Sequence, residues 1–244
     1  MRNIKLVIAY DGTNYKGWQL QKTGVTIQRK IEEAIEKIFK KKHRIYSAGR
    51  TDSGVHAQGQ VVHFKTKVPV PTNKIPSIIN TVLPSDIAVK AAKEVSADFH
   101  AQFNAKQKHY RYYILNSLER DPFEERYAWR VSYKLNVSLM RKEANVLKGK
   151  HDFKSFQAAD KLERRSVRKI FSIIVKKHKS FIVIDVKGDG FLYNMVRNIV
   201  GTLVEIGRGY FPSGSMKEIL KSKNRKKAGP TAPAKGLFLM EVKY

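Results

Sequence analysis

No cysteine occurs anywhere in the 244 residues. That absence excludes a disulfide framework and any thiolate metal site, and it suits a reducing compartment. Long apolar runs are missing too, since none approaches the roughly 18 to 20 residues needed to span a bilayer. The short apolar stretch MRNIKLVIAY runs straight into Asp11-Gly12 with no signal-peptide cleavage region. A soluble protein of the cytoplasm is therefore expected. Acidic residues are scarce, with 21 Asp plus Glu against 48 Lys plus Arg and a net charge of +27. Such an excess attracts polyanions strongly at low salt. The basic residues gather in separate patches, Lys40 to Arg44, Arg164 to Lys169, Lys176 to Lys179 and Lys221 to Lys227. Spread along the chain rather than collected in one tail, they favour a folded basic surface over a disordered arm.

A hydrophobic content of 42% is enough for one large domain or two modest ones with real cores. Ile4 to Tyr10 reads as a buried strand. Ile27, Ile31, Ala34, Ile35 and Ile38 fall on one face of a helix over 27–39, with Thr26 as its N-cap. Strands follow at Arg44 to Gly49 and Gln60 to Thr66, then a proline-punctuated helix near Lys74 to Val82 and a strand at Ile87 to Val95. That order, βαββαβ, recurs in the second half. It comprises strand His109 to Leu115, helix Ser138 to Leu147, strands Val167 to Lys177 and Ser180 to Lys187, helix Tyr193 to Ile206 and a last strand Leu237 to Tyr244. An extra helix, Ser215 to Lys221, precedes that strand. The reading is an α+β chain of two split βαβ halves, 1–104 and 105–244, with antiparallel sheets flanked by helices. A cleft between the halves is the natural place for a site.

Most of the chemical information lies in Ser47 to Phe64, SAGRTDSGVHAQGQVVHF. Asp52 and Gly54 read first as a turn, because Asp-x-Gly is common where a chain reverses. Arg50 adds something further, since two residues before Asp52 on extended chain it projects from the same side. A carboxylate beside a guanidinium is held ionised, the state needed by a nucleophile or a base.

The run AGRTDSGVHAQGQVVHF resembles the signature of the bacterial tRNA pseudouridine synthase A family. YDGTNYKGWQLQ (Tyr10 to Gln21), LPSDIAV (Leu83 to Val89), FHAQFNAKQKHYRYYI (Phe99 to Ile114), GDGFLYNMVRNIVGTLVEIGRG (Gly188 to Gly209) and TAPAKGL (Thr231 to Leu237) are similar to the same family, in the same order. The resemblance implies the pseudouridine synthase fold with a central basic cleft, and isomerisation of uridine at positions 38, 39 and 40 of the tRNA anticodon stem-loop. It implies no cofactor or metal, and a homodimer in which one tRNA touches both subunits. It makes Asp52 the catalytic carboxylate and gives Arg50 the place vacated by a flipped nucleotide. Tyr110 becomes the aromatic that stacks on the target base, and Arg197 the partner of the carboxylate.

The residues bear on these roles independently. Pseudouridine formation detaches the base, turns it and rejoins it through C5. One ionised carboxylate serves that chemistry either as nucleophile or as base toward the sugar. Extruding the target costs a few kcal/mol, and stacking on an aromatic is worth about 1 to 3 kcal/mol. Tyr110 and Tyr112 share one strand face with Ile114, so periodicity leaves either tyrosine free for that role. In the helix at 193–206, Met195, Ile199 and Ile206 define an apolar face, and Asn194, Arg197, Gly201 and Glu205 lie opposite.

His56, His63, His100 and His109 are too scattered for metal-ligand spacing and read as polar packing or RNA contacts. Asp11, Asp86 and Asp189 precede glycines or strands, which fits turns better than an acidic two-metal site. Trp18 and Trp129 are expected to pack. Leu20, Gln102 and Gln157 stand where relatives often carry Arg, which alters particular phosphate contacts. A noncatalytic RNA-binding or RNA-chaperone protein is the competing reading. The intact set Arg50, Asp52, Tyr110 and Arg197 favours the enzyme.

Overall fold

A computed structural model describes residues 1–159 and 165–244, so Arg164, at the head of one basic patch, lies outside the described residues. The chain divides into two units. One comprises Met1–Lys106 together with Phe238–Tyr244, and the other Gln107–Leu237. Where the sequence alone suggests a single cut after residue 104, the contacts group the last strand with the first unit.

In the first unit, β1 (Arg2–Tyr10), α1 (Ile27–Phe39), β2 (Tyr46–Ser47), β3 (His56–Thr66), α2 (Ile75–Asn80) and β4 (Ile87–Val95) follow in order. β1 is central and antiparallel to both β3 and β4, with Leu6 opposite Val62 on one side and Ala92 on the other. Ile4, Leu6 and Ile8 are fully buried, whereas Lys5, Val7 and Ala9 between them are partly exposed. This period of two is what a sheet with one covered face requires. The helical stripe of α1 buries Ile27, Ile31, Ala34, Ile35 and Phe39, each large side chain worth about 1.5 to 3 kcal/mol relative to exposure. Phe39 takes the deep position expected for Ile38, because i+4 from Ile35 falls on it. The Thr26 side chain accepts from Arg29 N at 3.4 Å, as an N-cap should.

The second unit runs β5 (Gln107–Asn116), β6 (Trp129–Val131), α3 (Val137–Asn145), β7 (Gly149–Asp152), β8 (Val167–His178), β9 (Phe181–Gly188), α4 (Met195–Gly207) and α5 (Ser215–Ser222). Its sheet order is β5-β9-β8-β7, antiparallel throughout, with the short β6 added parallel to β5. Tyr112, Ile114, Ile182, Ile184 and Val186 are fully buried on one face. α3 packs on β8, and α4 and α5 pack with α3. The last strand, β10 (Leu237–Lys243), pairs parallel with β3, Phe238 opposite His56 and Leu239 opposite Ala57.

Two sequence expectations are corrected. The strand read over Arg44 to Gly49 is only Tyr46–Ser47, because the chain leaves the sheet there to form the loop carrying Asp52. The two-faced reading of α4 also fails: Gly201 is buried and Glu205 nearly so, like the apolar residues opposite them. The backbone of Pro230 packs against Gly201, so the side of α4 opposite its apolar face is covered by chain there.

Candidate active site

Within the first unit, the loop 48–55 is held from several directions. Tyr10 Oη shares a hydrogen bond of 2.7 Å with Thr51 Oγ1. Trp18 N donates to Thr51 O at 3.0 Å. Gln60 Nε2 donates to Gly49 O at 2.8 Å, and Ser53 Oγ to Tyr15 O at 3.0 Å. Gly17, at φ 82°, lets the two loops touch, since a Cβ there would lie 2.8 Å from Thr51 O. Asp52 O accepts from Val55 N at 3.1 Å with Gly54 at φ 75°, a turn that needs glycine at its third position. The turn and the chemical readings of Asp52 are thus compatible, because the backbone makes the turn and the side chain remains half-buried in a loop that cannot drift.

Thr51 is buried, with Arg50 exposed and Asp52 half-buried on either side of it, which is the alternation of extended chain. Arg50 nevertheless makes no hydrogen bond or ion pair among the described residues. The expectation that it steadies the carboxylate is therefore not met. An exposed guanidinium is left available to another anion or to a space in RNA.

The surrounding groups explain the rigidity. Burial pushes the Tyr10 phenol up to about 12, against hydrogen bonds from Thr51 and Gln60 that favour ionisation, so it stays a neutral phenol at physiological pH. Tyr15 is likewise raised, first by burial and then by its bond of 2.5 Å to Asp86 Oδ1. Asp11 Oδ1 accepts from Thr13 N and lies 3.0 Å from His56 Nδ1. Asp11 and Asp86 therefore have the turn and strand-entry roles expected of them. His56 is buried and stacked on Phe238 at 4.6 Å, and Trp18 packs 6.0 Å from Tyr10.

Within the second unit, β5 presents Tyr110 and β9 leads through Gly188-Asp189-Gly190 into α4. Tyr112 is sealed: its hydroxyl donates to Pro233 O at 2.7 Å and its ring abuts Gly236. Tyr110 retains 8% exposure and stands edge-on to Phe191, with ring centroids 5.2 Å apart. Between the two tyrosines that periodicity leaves open, Tyr110 is the one near a surface. Asp189 accepts from Lys169 N at 2.9 Å and so closes the β8–β9 end.

Arg197 lies in the first turn of α4 and is half-buried. Its Nη1 donates to Asn194 Oδ1 at 3.0 Å and its Nε to Ala232 O at 2.7 Å, while Ala232 N donates to Arg197 O at 3.2 Å. The guanidinium plane is thereby set by the helix N-cap residue and by a passing strap of chain. The residues that sequence reasoning missed are those that do the holding, Tyr10, Gly17 and Ala232. All lie within motifs already recognised, but nothing in their residue types indicates whom they touch. Among the described residues no group of three or more His, Asp or Glu is placed to hold a metal ion. No helix among them is long and apolar enough to cross a membrane. Leu20 and Gln102 are exposed, whereas Gln157 is buried, so only the first two stand where an arginine would reach solvent.

A rigid acid-bearing loop beside an exposed arginine, on a strongly basic α+β chain, defines a protein built to act on a polyanion. The family model described as tRNA pseudouridine synthase matches residues 6–104 and 144–244. Relatives named tRNA pseudouridine synthase A include one from Thermoanaerobacter sp. (strain X514), 46% identical over 100% of both chains. Another, from Acetivibrio thermocellus, is 44% identical over 100% of both. A third, from Syntrophotalea carbinolica, is 45% identical over 100% of this chain and 97% of its own. Among solved structures, an H/ACA RNP bound to a substrate RNA containing 2'-deoxyuridine matches with a TM-score of 0.35 and 12% identity. That match covers 82% of this chain and 44% of the other, so this chain spans under half of that protein. The chain belongs to the tRNA pseudouridine synthase family. Within it, the whole-length relatives place this chain beside the proteins named tRNA pseudouridine synthase A.

Proposed function

We propose that this protein isomerises uridine to pseudouridine at positions 38, 39 and 40 of the tRNA anticodon stem-loop, with Asp52 as the essential carboxylate. The observation that carries the reading is the loop 48–55. A half-buried carboxylate sits at a turn that Tyr10, Tyr15, Trp18, Gly17 and Gln60 hold in place, inside the region that the family model matches. Such fixing is what a reaction dependent on orientation requires.

The reaction breaks the bond from N1 to C1′, turns the uracil and forms the bond from C5 to C1′. The C5 proton departs and N1 gains one, so the product is an isomer. Asp52 acts at the sugar, by attacking C1′ or by removing a proton. Tyr110 offers its ring to the extruded base, offsetting the unstacking cost by about 1 to 3 kcal/mol. Arg197 pairs with the carboxylate, and exposed Arg50 enters the space that the extruded nucleotide leaves. The enzyme works in the cytoplasm as a homodimer in which one tRNA touches both subunits.

Wild type and Asp52→Asn are incubated with unmodified tRNA and pseudouridine is mapped along the product. The variant is expected to bind tRNA as wild type does and to form no pseudouridine. Product from Asp52→Asn at the wild-type rate would remove Asp52 from the role. A wild type that binds tRNA and yields no product would favour the noncatalytic RNA-binding reading.

A further inference from the structure

In the sequence, Arg225 belongs to a run of cations, Lys221 to Lys227, that reads as a surface for RNA. Its side chain does something else. The guanidinium is half-buried, and its Nη1 donates to Gly229 O at 2.9 Å and more weakly to Ala228 O at 3.4 Å. Its Nη2 donates to Asn198 Oδ1 at 3.0 Å and Thr231 Oγ1 at 3.1 Å. Thr231 Oγ1 in turn donates to Asn198 Oδ1 at 2.6 Å, and Asn198 Nδ2 donates to Phe156 O at 2.8 Å. Every one of these acceptors is neutral, and Arg225 forms no ion pair among the described residues. Burial lowers its pKa for that reason. Placing a cation there without a counter-charge is costly, and only several good hydrogen bonds offset the cost.

What those bonds hold is the strap 228–232. It lies so close to α4 that a Cβ on Gly201 would meet Pro230 O at 1.8 Å and one on Gly229 would meet the Thr202 backbone at 2.8 Å. Gly229 N donates to Thr202 Oγ1 at 3.0 Å. Its far end is Ala232, whose carbonyl receives Arg197 Nε and whose N–H returns to Arg197 O. The strap therefore has two arginine fastenings, Arg225 at one end and Arg197 at the other. Both are tied to α4, through neighbouring residues Asn198 and Arg197.

We infer that Arg225 is a positioning residue: it fixes the strap 228–232 against α4 so that the Ala232 carbonyl sets the plane of the Arg197 guanidinium. The inference rests on the role given to Arg197 above. A planar fork with donors on both terminal nitrogens spans four acceptors at once, which a lysine ammonium cannot do from the same stem.

The test uses full-length Arg225→Met and Arg225→Lys with unmodified tRNA. It measures kcat, KM, tRNA affinity and its salt dependence, thermal stability, and the hydrogen-exchange rate of the Arg197 Nε–H by NMR. Arg225→Met is expected to lower kcat by roughly tenfold to a hundredfold, with tRNA affinity within about twofold of wild type and the Arg197 Nε–H exchanging faster. Arg225→Lys should recover only part of the loss. A kcat unchanged in folded Arg225→Met, or an Arg197 Nε–H as protected as in wild type, would overturn the inference. So would a loss of tRNA affinity and of salt dependence with kcat intact, which would make Arg225 an RNA contact. Should Arg225→Met fail to fold, Thr231→Val, which removes one member of the same cluster, is expected to show the same signature more weakly. Wild-type kcat and protection in that variant would count against the clamp. Failure of the proposed function is separately visible, as absence of product from wild type or activity in Asp52→Asn, and the NMR measurement does not depend on either.

Discussion

Gly17 lies at φ 82°, where an L side chain is strained by roughly 1 to 2 kcal/mol, and its missing Cβ is what lets Thr51 O approach to 2.8 Å of that point. Thr51 precedes Asp52, so any side chain here must move either the Tyr15–Trp18 loop or the loop bearing the carboxylate. Gly17→Ala is expected to lower the melting temperature by several degrees, consistent with about 1 to 3 kcal/mol. It should also lower kcat by roughly a hundredfold, since displacement near 1 Å is enough for that, while tRNA affinity changes little. Gly24 supplies the comparison. It too has positive φ, but a Cβ there meets only the flexible Lys16 side chain. Gly24→Ala should therefore lose stability without losing turnover. Steady-state kinetics and melting curves on the pair decide it, and equal effects on turnover in both would show that the Gly17 contact does not govern Asp52.

At the scale of elements, β3 offers a measurable titration. It carries His63, buried against Tyr46 at 5.3 Å and His100 at 4.7 Å, with Ala101 N donating to its Nδ1 at 3.2 Å. Burial first, then the charges of His100 and Lys65, press its pKa from 6.5 down to about 4. A histidine held neutral in the folded state binds its proton more readily when unfolded. Its contribution is whole above pH 6.5 and drains away as the pH falls toward about 4. Melting temperature measured from pH 7.5 to 4.5 should fall through that window, and less steeply for His63→Gln, which keeps an acceptor for Ala101 N. His100 is lowered by burial in the same direction, so some slope should persist, but identical curves would show that His63 does not cause it. Elements such as β1, α1 and β4 are legible in the sequence because each has one covered face, and a period of 2 or 3.6 is the trace that one covered face leaves. α4 is misread for the converse reason, since the strap 228–232 covers a second side and glycine at 201 is the only mark of it. β6 and β7, three and four residues long, are too short to show any period. The site divides the same way. The motifs point to Asp52, Arg50, Tyr110 and Arg197, whereas residue type does not reveal which side chains, backbone carbonyls and glycine hold the loop 48–55 and the Arg197 guanidinium.

For the molecule as a whole the dominant quantity is the charge of +27. Lys40, Lys41, Lys42 and Arg44 are exposed in one unit, and Lys176, Lys177 and Lys179 in the other. Not every cation serves that surface: Arg225 turns inward, and Lys223 pairs with Asp152 at 3.1 Å. Counting basic residues therefore overstates the number of phosphates engaged, and the salt dependence of binding measures that number directly. Each duplex phosphate neutralised contributes a slope of about 0.9 in log affinity against log salt, because a condensed counterion is released. tRNA binding should accordingly weaken steeply between about 50 and 200 mM salt, by roughly a thousandfold or more if six or more phosphates are held. Replacing Lys176, Lys177 and Lys179 together by Gln should reduce the slope by about one for each that touches a phosphate, leaving kcat at saturating tRNA unchanged. The same replacement at Lys41 and Lys42 tests the other unit. If both multiple variants keep the wild-type slope, the exposed patches steer RNA only through their long-range field and the contacts lie elsewhere. A flat titration for the wild type would mean that shape and stacking, not phosphate neutralisation, hold the tRNA, and the significance given to the excess of lysine would fall with it.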